Sequence, residues 1–166
     1  MDVRIRDVRP TDAEALTRIW NEIIRTGAYS ALDTPLTLDE ESKYLDGLPP
    51  RGFCCVAEEA QTQRVPGFQN VEPFASYTHA FDHVGVIGTC VDLALRRSGI
   101  GTRLAHVSFN KARNKGYEKL FTYVRADNEG ARSFYRKLGF HVVGTARKHA
   151  KLKGAYVDSI YIEVLL

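Results

Sequence analysis

Hydrophobic and polar positions along this chain recur with a period of two in some stretches and of three to four in others. Val3-Arg4-Ile5-Arg6 alternates and predicts a short first strand. Leu16, Ile19, Trp20, Ile23 and Ile24 keep helical spacing, with Thr11-x-x-Glu14 as a capping box at the start and Gly27 as the stop. A loop over 28–35 follows, and Thr37-x-x-Glu40 caps a shorter helix that runs through Leu45. Pro49-Pro50-Arg51-Gly52 breaks the chain. Residues 53–59 read as a strand, 60–64 as a polar turn, and a second strand runs from Val65 toward Ala75 with Pro73 interrupting it. These two strands predict a hairpin. Residues 76–83 carry no readable period, and 84–95 predict a buried strand.

Helical spacing returns at Ile100, Leu104, Val107 and Ala112, predicting a helix over 101–115 with Gly116 as its stop. Residues 119–125 alternate again. Ala131, Phe134, Tyr135 and Leu138 share one side of a helix over 128–138, which Gly139 ends. Residues 140–146 and 156–165 are the last strands, joined by a polar stretch over 147–154 whose basic run, Arg147 to Lys153, reads as a solvated loop or, alternatively, as an attractor for an acidic acceptor carboxylate. The order is β-α-α-β-β-β-α-β-α-β-β. Strands 84–95 and 119–125, joined through a helix, form a βαβ unit and are predicted parallel, with an antiparallel meander before them. The predicted fold class is α/β (α+β), a mixed sheet with helices on both faces. No repeat or linker divides the chain, so its 166 residues are read as one domain, 1–166, able to bury a real core.

Composition narrows the setting. Hydrophobic residues at 44% and charged residues at 26% are ordinary for a soluble globular protein. No apolar run reaches membrane-spanning length, and the alternating start is no signal peptide, so a cytoplasmic protein with no membrane partner is expected. A net charge of +3 is too mild to imply nucleic acid, but it suits a small polyanion. Cys54, Cys55 and Cys90 form no CxxC pair and are odd in number, which argues for buried free thiols. The 5 histidines lack metal-ligand spacing, so no metal is expected.

The candidate chemistry starts at Arg96-Arg97-Ser98-Gly99-Ile100-Gly101-Thr102, where a strand gives way to a helix. Two glycines there let backbone N–H groups turn toward one point, and the helix N-terminus adds partial positive charge. That is an anion cradle sized for a phosphate or pyrophosphate. It is no Walker A loop, since GxxxxGK[ST] is absent. It is no dinucleotide fingerprint either: Leu104 stands where the third glycine belongs, and the next strand ends in Arg125 rather than an acid.

Arg96-x-x-Gly99-x-Gly101 has the form [Q/R]-x-x-G-x-[G/A], and Asn128-x-x-Ala131-x-x-Phe134-Tyr135-x-x-Leu138-Gly139-Phe140 follows downstream. This pair resembles motifs A and B of the GNAT superfamily of acetyl-CoA-dependent N-acetyltransferases. The opening, Ile5 to Asp12 with Asn21, is similar to the phosphinothricin and amino-acid acetyltransferase branch. So is the ending, Val143-Gly144-Thr145-Ala146-Arg147 and then Gly154-x-Tyr156-x-Asp158.

The resemblance implies a mostly antiparallel sheet whose parallel pair splays at a bulge to admit the donor, acetyl-CoA. It implies that the amides of Arg97, Ser98, Gly99, Ile100, Gly101 and Thr102 surround the pyrophosphate, with Arg96 and Arg97 adding charge. The pantetheine arm would run along Cys90-Val91-Asp92-Leu93, the Val91 N–H would meet the thioester carbonyl, and Asn128 would bond the pantetheine or pyrophosphate side. Tyr135 would return a proton to the leaving thiolate. Many relatives carry a glutamate at the start of the strand before motif A, where this chain reads Val84-Gly85-Val86-Ile87-Gly88. His83, His79 and Glu22 are the replacement bases available. Tyr29, in the first loop, is a candidate acceptor contact. The implied reaction is direct acetyl transfer to a primary amine of a small molecule, such as an amino acid or amino-acid-like toxin, in a possible homodimer. A peptide or protein amine as acceptor, and an acyl-CoA-binding sensor that has lost its base, stay open as alternatives.

Overall fold

All seven strands join one sheet in the order β1-β2-β3-β4-β5-β7-β6. The structure, a computed structural model, describes residues 2–166. In chain order the elements are β1 (Val3–Asp7), α1 (Ala13–Thr26), α2 (Leu38–Asp46), β2 (Phe53–Glu59), β3 (Gly67–Pro73), β4 (Val84–Val91), α3 (Ile100–Asn114), β5 (Lys119–Arg125), α4 (Glu129–Lys137), β6 (His141–Leu152) and β7 (Ala155–Leu165). The mixed fold class is as predicted: β4 and β5 are the parallel pair, and every other pairing is antiparallel.

Strand alternation sorts the core into two layers. Cys55, Val71, Ile87, Leu120, Val124 and Ile160 pack with Leu104 and Ala112 of α3 and Tyr135 of α4. Cys54, Val56, Phe68 and Cys90 pack on the opposite face with Leu16, Ile19 and Ile23 of α1. All three thiols are free and buried.

Three expectations change. The Thr11–Glu14 box does not form. A 3₁₀ turn, Pro10–Asp12, precedes α1, and the Asp12 carboxylate takes the Arg9 N–H at 2.7 Å and the Arg6 guanidinium at 2.7 and 2.8 Å. An ion-paired acid outbids a threonine for that position. The second box does form, with Thr37 N–H donating to Glu40 Oε2 at 2.7 Å and Glu40 N–H to Thr37 Oγ1 at 3.2 Å. The strand predicted over 84–95 stops at Val91, because the Asp92 carboxylate accepts the Ala94 N–H at 3.1 Å and opens a 3₁₀ turn, Leu93–Leu95. Residues 147–152 are strand rather than loop. The β6 register slips between Ala146 and Ala150, Lys148 (φ 51°) absorbs the extra length, and pairing resumes to Leu152.

Candidate active site

The parallel pair is short. Val84, Gly85 and Val86 face Lys119, Leu120 and Phe121, and pairing ends there, although β4 continues to Val91 and β5 to Arg125. Beyond Val86 the strands diverge, leaving a slot between 87–91 and 122–125. The implied bulge is absent: β4 keeps unbroken register with β3 from Gly85↔Pro73 to Val91↔Gly67. Likewise β5 keeps unbroken register with β7. Each strand follows its outer partner, and the twist of the two half-sheets parts them.

The cradle stands at the open end of β4. Arg96, Arg97, Ser98 and Gly99 are exposed, while Ile100 is buried and fixes the start of α3 in the core. The two glycines do different jobs. Gly99 is left-handed (φ 84°) with open space around it. A Cβ on Gly101 would meet Phe134 Cε2 at 3.0 Å, so this glycine lets α4 close onto α3. Arg97 also sits in the left-handed region (φ 63°), a strain of about 1–3 kcal/mol that such loops carry at ligand sites. Ser98 Oγ donates to the Leu95 carbonyl at 2.5 Å, and Thr102 is exposed in the first turn of α3.

Asp92 holds the turn beneath. Its N–H donates to the Pro66 carbonyl at 2.8 Å, and its carboxylate meets Arg18 at 3.2 Å and Arg64 at 2.5 Å. Burial works against its charge, but the Ala94 N–H and the two guanidinium groups outweigh burial and hold the carboxyl below its ordinary value. Val91 ends β4 against the α3 side of the core, and Leu93 packs toward α1.

Tyr135 comes from α4 into the α3/α4 layer. Its ring lies edge-on to Phe134 (5.0 Å) and Phe140 (4.9 Å). Its hydroxyl is 3.0 Å from Thr89 Oγ1, which also accepts from Gln69 Nε2 at 2.7 Å. Burial pushes the phenol well above its ordinary value, and the Thr89 hydroxyl pulls it back. Thr89 and Gln69 are cross-strand partners on β4 and β3, and the sequence reading missed both. A glutamine inside an apolar strand was the available signal, since Gln69 is fully buried.

Asn128 caps α4 by accepting the Ala131 N–H at 3.0 Å, and its Nδ2 donates to the Tyr29 carbonyl at 3.3 Å. The Tyr29 ring lies under the Arg96 guanidinium at 3.9 Å. Tyr29 therefore stands with the cradle residues. Glu22 pairs with Arg18 at 3.1 Å on α1. His83 is exposed just before β4, at the paired end away from the slot, and His79 is exposed and bonded to Asp82.

On the α1/α2 face a cavity of about 270 Å³ lies against β3, lined by Trp20, Leu32, Leu36, Glu40, Glu41, Tyr44, Phe68, Asn70 and Glu72. Asn21 clamps its loop wall, taking the Leu36 N–H at 2.8 Å and donating to the Leu36 carbonyl at 2.9 Å. Tyr44 donates to Glu72 Oε1 at 2.5 Å, and Asn70 Nδ2 donates to the same oxygen at 3.0 Å. Asn70 lies across Gly88 of β4, where a Cβ would stand 2.6 Å from its Oδ1. The cavity thus adjoins β4 on the face opposite Tyr135.

A family model described as "Acetyltransferase (GNAT) family" matches residues 16–140, most of the chain and all of this machinery. The chain belongs to the GNAT acetyltransferases. A mycothiol acetyltransferase of Kocuria rhizophila is 34% identical over 93 residues, 55% of this chain but only 30% of that protein. An L-methionine sulfoximine/L-methionine sulfone acetyltransferase of Pseudomonas paraeruginosa is 20% identical over all of this chain and 96% of its own length. In fold, a solved GNAT phosphinothricin acetyltransferase of Sinorhizobium meliloti, in complex with acetyl-CoA, superposes with a TM-score of 0.91. That match covers all of this chain and 89% of the other at 18% identity. Among the described residues, no cluster of three or more His, Cys, Asp and Glu side chains suits a metal ion, and no helix is long and apolar enough to cross a membrane.

Proposed function

We propose that this GNAT acetyltransferase uses acetyl-CoA as donor and moves the acetyl group directly to a primary amine of a small molecule, within one catalytic domain. The slot between β4 and β5 carries the reading, because it opens onto the cradle at one end and onto Tyr135 along its side. The residues present fit the donor. Gly99 has no atom near its missing Cβ, so the amides of 97–102 stand clear for a pyrophosphate, and exposed Arg96 and Arg97 supply positive charge. The freed edge of β4 through Val91 and Leu93 offers backbone partners to an amide-bearing arm, and the Val91 N–H is the donor assigned to the thioester oxygen. Asn128 fixes the start of α4 and, through Tyr29, the approach to the cradle.

Acetyl-CoA supplies an activated acetyl group on a thioester. The amine nitrogen bonds to the acetyl carbon as the carbon–sulfur bond breaks, the nitrogen's surplus proton goes to a base, and Tyr135 gives its proton to the thiolate. Thr89 accepts from Gln69 and has its own proton available for the Tyr135 oxygen, and in that arrangement the phenol proton is free for the sulfur. The small-molecule class draws on the full-length relative named for methionine sulfoximine and on the structure named for phosphinothricin.

The test is release of free CoA thiol from acetyl-CoA over a panel of amines. Turnover that falls in Tyr135→Phe supports the reading. Tight acetyl-CoA binding without turnover on any amine would replace the enzyme with a sensor.

A further inference from the structure

The cavity beside β4 has a composition that selects its occupant. Its walls are apolar, with Trp20 and Phe68 packed edge-on at 5.7 Å and Leu32 and Leu36 closing the loop side. Its polar groups are three carboxylates, Glu40, Glu41 and Glu72, with Tyr44 and Asn70. None of the described residues lining it is a cation. The nearby basic groups are engaged outside it: Arg18 with Glu22 and Asp92, Lys43 with Asp39, and Arg96 at the cradle, over the Tyr29 ring. Arg125, at the slot's far wall, is held by Asp127 at 2.6 Å and by the carbonyls of Gly27 and Ser30 at 2.7 and 3.1 Å.

Glu41 is the decisive side chain. It is only 3% exposed, and its Oε1 has no hydrogen-bond partner among the described residues. An unpaired carboxylate in an apolar site is costly, so the site is built for a donor that the protein does not itself provide. Facing Glu41 are Glu40 and Tyr44 of its own helix and Asn70 and Glu72 of β3. The thiols of Cys54 (β2) and Cys90 (β4) feel its charge, and the Asp12 carboxylate of the turn before α1 also acts on Cys54. Every ionisable group in that set is an acid. Burial alone pushes the Glu41 carboxyl up to about 7, and an ammonium would draw it back toward the charged form.

Resting on the acetyltransferase reading above, we propose that this cavity is the acceptor site and that it selects a primary amine on an apolar or aromatic body with no carboxylate beside the nitrogen. Glu41 and Glu72 receive the ammonium, and Glu41 takes the proton it sheds. The apolar body lies against Trp20 and Phe68. The sheet order places this nitrogen over Gly88, on the side of β4 away from Tyr135, so amine and thiolate are served from opposite faces. An α-amino acid would bring its carboxylate among three others with no cation to meet it. The relatives named for amino-acid substrates therefore do not fix the acceptor here.

The experiment compares matched pairs that differ only in the carboxyl group: phenethylamine with phenylalanine, and 3-methylbutylamine with leucine. The readout is kcat/KM from thiol release at saturating acetyl-CoA. The amine of each pair is expected to exceed the amino acid at least tenfold. Glu41→Gln is expected to raise the KM for the amine about tenfold or more and to remove the limb near pH 7 from the kcat/KM profile, which reports the free enzyme, with acetyl-CoA affinity unchanged. Preference for the amino acids would overturn the selection while leaving acetyl transfer standing. If Glu41→Gln and Glu72→Gln both keep the parent amine KM and pH profile, the cavity is not the acceptor site. No turnover with any pair, despite bound acetyl-CoA, overturns the acetyltransferase reading and the selection together.

Discussion

Replacing Thr89 by valine removes one hydroxyl from the centre of the slot and keeps the side chain's outline. Two partners lose by it. Gln69 Nε2 gives up its 2.7 Å acceptor, and because Gln69 Oε1 has no partner already, the whole buried amide is left unpaired. That costs about 1–3 kcal/mol of stability. Tyr135 loses the hydroxyl partner 3.0 Å from its oxygen. Its phenol, already raised by burial, then rises further and becomes a weaker acid toward the thiolate. A hydrogen bond to an oxygen that gains negative charge contributes about 1.5–3 kcal/mol, which lowers kcat by about 10- to 150-fold. The assay is thiol release at saturating substrates in the parent, Thr89→Val, Thr89→Ser, Tyr135→Phe and the Thr89→Val/Tyr135→Phe pair. Serine keeps the hydroxyl and should restore most of the rate. The double variant should be no slower than Tyr135→Phe, because the threonine acts only through the tyrosine. Additive losses, or a parent-like kcat in Thr89→Val beside a slow Tyr135→Phe, would refute the relay.

Arg97→Gly relieves a left-handed backbone while deleting a charge at the cradle, so Tm should hold or rise while acetyl-CoA affinity falls about tenfold, read by calorimetric titration and thermal melts. Glu41 is raised from its ordinary 4.5 to about 7, so the folded state holds a proton there that the unfolded chain has lost. Stability without substrates should therefore fall as pH rises through that window, by up to about 3 kcal/mol, and Glu41→Gln should flatten the decline in melts between pH 5 and 8. Asp92→Asn should lower stability by about 1–2 kcal/mol, because its arginine partners are partly solvated, and should weaken acetyl-CoA binding through the turn that it fixes. In the parent, the share of stability from ionised Asp92 should be present above the ordinary carboxylate range and lost as pH falls through its depressed pKa, seen in acid melts.

The helices and strands were legible where one periodicity ran uninterrupted, as in α1, α3 and β5. The glycine turn and the Asn128–Phe140 helix marked the proposed donor site, because their backbone needs are local. Boundaries failed where a distant charge decided them. Asp12 answers to Arg6, and Asp92 answers to Arg18 and Arg64, partners that no local window contains. The acceptor cavity escaped for a related reason. Glu41 precedes Tyr44 by three positions and Leu45 by four, a spacing that puts it on the inward side of α2 with Leu45, which packs on the core. Beside Glu40, which serves as a cap, no local pattern distinguishes it from a surface acid. Only the packing of α2 over β3 shows it to be enclosed. Gly101 carried a second demand that its own stretch of sequence does not show: besides its place in the glycine turn, it leaves room for the Phe134 ring.

The three residue pairs that join β4 to β5 have a mechanical meaning. Among the described residues they are the only strand-to-strand seam between a four-stranded plate, β1 to β4, and a three-stranded plate, β5, β7 and β6. Along the rest of that boundary, two strand edges face each other without bonding. A ligand arm laid between them spans the gap as a splint and ties the plates into a single cooperative unit. Acetyl-CoA at a hundred times its Kd would add about 2.7 kcal/mol to the folded state. Much of that gain should register as slowed hydrogen exchange on both banks of the gap, so the donor finishes the scaffold before it takes part in any chemistry.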